Sequence, residues 1–169
     1  MEENIRQPTL PFKDFLEIFP TVELPVTLND EVIREFSAAN EPIPALAITQ
    51  FITPYEAELP DELTEFIACF KIPETHRFQA IVYWKASLMT YEYTLATYTD
   101  RGELLDKRVI AGTFYDGKAL TQSVAIIEED WEILVTTGQS DKNSPLYDAT
   151  ISRITKLELL PEGQIIDLE

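Results

Sequence analysis

Cys69 and His76 are the one cysteine and the one histidine of the chain, and a nucleophile and its base are made from such residue types. Their settings argue against that use. Cys69 stands mid-strand in Glu65-Phe66-Ile67-Ala68-Cys69-Phe70-Lys71, where a thiol is a small hydrophobe; a reactive one needs an electropositive, partly exposed place. His76 falls in a turn after Pro73, and no Gly-x-Ser-x-Gly elbow exists for it to serve. One Cys and one His are also too few for a structural zinc site. Carboxylates offer ligands for a hard cation at Glu128, Glu129, Asp130 and Glu132, and at Asp116 with Asp148. None follows the spacing of a calcium loop, and four acids at a hairpin tip read as a solvated turn that discourages edge pairing. Phosphate-cradling glycine loops are absent. Paired carboxylates give no signal for glycoside chemistry, because thirty acids let any pair match. No catalytic residue, metal site or cofactor is assigned.

Aromatic side chains are the remaining candidates. Trp84, Tyr91, Tyr93, Tyr98, Phe114, Tyr115, Trp131 and Tyr147 gather in the second half of the chain, and most such rings fill cores. A ligand pocket built from them would use Trp84, Tyr91, Tyr93 and Trp131, with Glu92 or Arg108 as polar handles.

Strands must position these residues. Tyr91 to Thr99, then Asp100-Arg101-Gly102, then Glu103 to Ile110 reads as a hairpin whose loop ends on the glycine that tolerates a left-handed backbone. If Thr99 faces Glu103, Tyr91, Tyr93 and Leu95 line an apolar face with Val109 and Ala111, leaving Glu92, Thr94, Ala96, Asp106 and Arg108 to water. Thr64 to Ile72, apolar on both faces at its centre, and Phe78 to Ala86 belong between two covers. Leu120 to Ile127 and Trp131 to Val135 form a second hairpin, also two-sided, followed by a polar loop at Gly138 to Pro145, a long strand from Tyr147 to Leu160 and a short edge strand at Gln164 to Leu168.

Composition changes near residue 76. Nine of the eleven prolines lie before it and all five glycines after it. Proline fixes φ and removes a donor, so only short elements fit in the first part. Phe12, Phe15, Leu16 and Phe19 share one face of a short helix, and Asn29 caps another with Val32, Ile33 and Phe36 facing inward. Ala45 to Ile52 is either strand or helical turn. Such helices are not stable alone, so residues 1–44 are expected to wrap as a belt over a β meander at 45–169, the whole forming a single domain. The expected fold is mainly β: an antiparallel meander bent into a barrel or sandwich, with a proline-rich N-terminal segment packed on it.

The run Leu95-Ala96-Thr97-Tyr98-Thr99-Asp100-Arg101-Gly102-Glu103-Leu104-Leu105-Asp106, with Ile110-Ala111-Gly112-Thr113 after it, resembles a strand-turn-strand pattern in uncharacterised bacterial mainly-β proteins. The resemblance spans residues 77–136 and implies the hairpin, without an activity.

Thirty acidic residues against thirteen basic ones give a net charge of −17, a field that repels nucleic acid and anionic membrane surfaces and attracts a basic partner. A lone cysteine and an opening Met1-Glu2-Glu3-Asn4-Ile5-Arg6 without an apolar run are expected of a cytoplasmic protein. The function expected first is a non-catalytic, acidic protein-interaction module. The alternatives are a small-ligand-binding barrel or an enzyme using the aromatic pocket, and a structural or oligomerising protein.

Overall fold

The computed structural model describes residues 9–141 and 152–168. In chain order it has α1 (Phe12–Glu17), β1 (Val26–Leu28), α2 (Ile33–Ala39) and α3 (Ala45–Ala47), which runs on through a wide helical turn at Ile48–Ile52 and a tight one at Thr53–Tyr55. The strands β2 (Glu65–Lys71), β3 (Gln79–Ser87), β4 (Thr90–Tyr98), β5 (Leu104–Tyr115), β6 (Ala119–Ile127), β7 (Glu132–Asp141), β8 (Arg153–Leu159) and β9 (Ile165–Leu168) follow. They form one antiparallel sheet in sequence order, with β1 added against β6, and the sheet does not close into a barrel. Among the described residues no helix is long and apolar enough to cross a membrane.

β5 is where the sheet bends. All along its length it pairs with β4, but only Gly112–Tyr115 pair with β6. The edge of β6 that β5 leaves free is taken by β1, through Val26↔Ile127, Thr27↔Ile126 and Leu28↔Ala125. β6 to β9 thereby fold back over β2 to β4. Between these layers lies one core, with Phe70, Phe78, Ala80, Val82, Tyr93 and Leu95 meeting Ala125, Ile127, Ile133, Leu157 and Leu159. The opposite face of β2 to β4 carries Phe66, Ala68, Ile81, Tyr83, Ala96 and Tyr98, and is covered by Phe15, Phe19, Ile43, Ala47, Phe51 and Ile52. Strands that are apolar at both parities thus have apolar cover on both sides. Phe15 stacks on Phe51 at 4.7 Å and meets Phe19 edge-on at 5.2 Å, so the short helices reach their stability through packing.

The proline-rich segment also caps the free edge of β2. Lys71 N–H donates to Pro20 O at 2.8 Å, Pro42 bridges to Ile67, and the Asn40 amide donates to Ala68 O and Cys69 O at 2.8 and 3.0 Å. Cys69 is the bulged residue there, since Ala68 faces Tyr83 and Phe70 faces Val82. On the far side, β9 approaches the first half of β5 through side chains: Asp106 accepts Ile165 N–H at 2.7 Å, and Arg108 meets Asp167 at 3.1 Å.

Three expectations are corrected. In the β4–β5 hairpin Thr99 N–H does donate to Glu103 O, but a bulge follows at once, and a second separates Tyr93↔Ala111 from Thr94↔Val109. Each slip moves the β5 side chains by one position, so Val109 is exposed; on β4 the face assigned to water lies under the helices, with Thr94 and Ala96 buried and Tyr91 on the opposite parity exposed. The β6–β7 hairpin, expected to need two covers, has one; Val124 on its outer face is exposed. Gly138–Asp141, expected as loop, continues β7, because β6 begins early enough for Ala119 to pair with Asp141. The strand expected from Tyr147 is described from Arg153 onward; its first residues lie outside the described ones.

Candidate functional site

Trp84 faces Tyr93 across the β3–β4 ladder, and Tyr91 is the diagonal neighbour of Trp84 on the same face. Diagonal positions are within reach of large rings. Here the indole and phenol stack at 5.6 Å with planes 8° apart. Tyr93 sits below, its hydroxyl donating to Asn29 O at 2.7 Å, and burial pushes its pKa up. Asn29 in turn accepts the N–H groups of Glu31 and Val32 with its side chain, which sets the start of α2. The next residue, Asp30, is held in place by Thr113 Oγ1 at 2.7 Å and by the Gln122 amide.

The result is an open hollow of about 260 Å³ lined by Asp30, Ile33, Trp84, Tyr91, Tyr93, Gly112 and Thr113. Gly112 lies so close to β4 that a Cβ there would stand 2.1 Å from the Tyr91 carbonyl oxygen. Beyond the Tyr91, Gly112 and Thr113 wall lies a second open cleft of about 280 Å³, in which Glu92 and Arg108 are found with Phe114, Thr121, Ser123 and Thr137. Several of its polar groups serve one another: Ser123 and Thr137 share a hydrogen bond at 2.8 Å, the Gln139 amide donates to Thr121, and Arg108 is committed to Asp167, which raises the guanidinium pKa and lowers that of the carboxyl.

The structure therefore brings Trp84, Tyr91 and Tyr93 together and sets Glu92 and Arg108 in the adjoining cleft. Trp131 is elsewhere. It takes a left-handed backbone (φ 69°) at the β6–β7 turn and packs edge-on to Phe78 at 5.8 Å, six residues along from Trp84, or about 20 Å of strand. Tyr98 is buried beneath α1 with its hydroxyl on Phe51 O, Tyr115 donates to Gly117 O, and Tyr147 lies outside the described residues.

Cys69 and His76 are not joined either: the thiol is buried in the core, its pKa raised by desolvation, and the imidazole is exposed. Two of the carboxylates weighed as cation ligands act as turn caps. Asp130 accepts Glu132 N–H, and Asp116 accepts the N–H groups of Lys118 and Ala119, which hold its pKa low. Among the described residues no three His, Cys, Asp or Glu side chains converge as a metal site would need; Asp148 lies outside them.

Sequence reasoning overlooked Asp30, Ile33 and Thr113, which only the fold brings to the rings, and Leu88 and Met89, which it need not have missed. These two form the β3–β4 turn between Ser87 and Thr90. Turns of two residues draw on Gly, Asn and Asp; here Leu88 is 81% exposed, and Met89 is 52% exposed with φ 64°. Phe114, opposite Thr90, is 50% exposed and Tyr91 is 47% exposed. Leu88 and Met89 at the hairpin tip, Tyr91 at the hollow and Phe114 in the adjoining cleft are thus exposed around one end of the sheet, on both of its faces.

Comparison with known proteins finds no family model, no curated protein and no solved structure that matches this chain.

Proposed function

We propose that the protein is a non-catalytic interaction module that docks a basic protein partner on the face around the β3–β4 turn. One observation carries the reading. Leu88 and Met89 at the turn, with Tyr91 and Phe114 on the two faces next to it, are exposed on a chain of net charge −17. Apolar side chains at a left-handed turn cost the free protein both hydration and backbone strain, and a partner that covers them recovers part of the hydration cost. Aromatic and Met anchors at the centre of a charged rim are the usual composition of such faces.

The adjoining cleft supports a small-ligand reading less well, because Ser123 and Thr137 bond each other, Thr121 accepts from Gln139 and Arg108 is paired with Asp167. The test is capture from a low-salt extract with the native chain and with a Leu88→Asp, Met89→Asp double variant. The native chain should retain a basic protein that about 0.5 M salt releases, and the variant should not. Equal retention by the variant, or retention unaffected by salt, overturns the proposal.

A further inference from the structure

We infer that the hollow beside Trp84 and Tyr91 is a seat for one guanidinium or ammonium side chain of a protein ligand. This rests on the interaction reading above and adds the chemistry of its anchor. Aromatic rings and a carboxylate on one small hollow are the parts from which cation sites are made: Trp84 and Tyr91 cover one face of each other in their stack, their remaining ring surface offers negative charge, and the acid supplies the counter-charge. Asp30 is exposed, yet it is not a wandering surface acid. Thr113 and Gln122, from two neighbouring strands, fix its carboxylate at the hollow. Ile33 and Tyr93 complete an apolar wall suited to the methylene stem of Arg or Lys.

Arg34 of α2 does not line this hollow. Arg34 lines the neighbouring hollow with Glu65, Ile67 and the other flank of Trp84. Guanidinium suits the site better than ammonium, because its flat, weakly hydrated fork both stacks on rings and pairs with a carboxylate. The exposed Leu88 and Met89 of the adjacent turn call for an apolar residue next to the cation in the ligand.

The experiment uses the full chain and a probe peptide, acetyl-Gly-Leu-Arg-Leu-Gly-amide, with a twin in which citrulline replaces arginine. Amide and indole NMR signals are followed during titration. Shifts should centre on Asp30, Trp84, Tyr91 and Thr113, and the citrulline twin should bind about tenfold more weakly. Asp30→Asn should weaken the arginine peptide by a similar factor, and Tyr91→Leu several-fold. Glu129→Gln, which removes the same charge at the distant β6–β7 turn, should leave it within about twofold, because that turn is screened from the hollow at physiological salt. Equal binding of the two peptides, equal loss in Glu129→Gln and Asp30→Asn, or no binding up to about 10 mM peptide overturns the inference. Those results would leave the docking face standing. Conversely, unchanged capture by the Leu88→Asp, Met89→Asp variant removes the docking face while localised arginine-peptide shifts still establish the seat.

Discussion

Tyr83, Tyr93 and Tyr98 are buried phenols, each raised in pKa chiefly by desolvation and each donating its hydroxyl hydrogen: to Glu56, to Asn29 O and to Phe51 O. Below the free tyrosine value near 10, folded and unfolded chains both keep these protons and no stability is lost. Above it the unfolded chain gives up protons that the folded chain retains, so stability falls by about 1.4 kcal/mol per phenol per pH unit until the folded phenols ionise in turn. Alkaline titration should show the tyrosinate absorbance of these three phenols rising together with the loss of tertiary circular dichroism above pH 10; their ionisation in a chain that keeps its tertiary signal would contradict this. Cys69, raised by the same cause, should not react with a thiol reagent unless denaturant is present. At Gly112 the constraint is steric. Gly112→Ala must push β5 away from the Tyr91 carbonyl and should cost about 2 kcal/mol or more in urea unfolding. Of the aromatic candidates the types were readable, but the partition between core and surface was not. Tyr91, two positions from Tyr93 on one strand, is exposed, because it pairs with Ala86 next to the β3–β4 turn, beyond the rows the core fills, and its ring lies on Trp84.

Short elements explain both what could be read and what could not. Two apolar parities in β2 and β3 announced cover on both faces, and the helical spacing of Phe12, Phe15 and Phe19 announced what would supply it. Bulges carried no such mark. One slip in β2 and two between β4 and β5 re-aim whole strands, and no residue type fixes their place, because a bulge follows from what the neighbouring layers demand. The edge of β2 depends on one side chain, Asn40, which satisfies two carbonyls at its bulge. Asn40→Ala should cost about 1–3 kcal/mol and open the Ala68–Phe70 amides to hydrogen exchange. An unchanged exchange rate there would show that the edge does not need its cap. Phe15→Ala, which removes the ring shared by Phe12, Phe19, Phe51 and Tyr98, should cost about 3–5 kcal/mol by chemical denaturation.

At the scale of the whole molecule, a belt, a folded sheet and its returning strands share two cores, and neither core is complete without residues from far apart in the chain. Removing residues 1–55 would bare Phe66, Ile81, Tyr83 and Tyr98 together and uncap β2, so the remainder should aggregate or melt without a cooperative transition; a soluble, cooperatively melting remainder would show that the belt is dispensable. The sequence by itself determined the mainly β class, the glycine turn at Asp100–Gly102 and the docking of proline-broken helices on a two-sided sheet. These follow from local preference and from the periodicity of apolar residues, which each segment carries within itself. Only the tertiary structure decided where the sheet folds, that β1 takes the edge β5 leaves, and that Asp30 meets Trp84 and Tyr91 while Trp131 does not. Those are matters of register and layer contact between residues more than fifty positions apart, and they are set by which surfaces must be buried together rather than by any preference written in one stretch of chain.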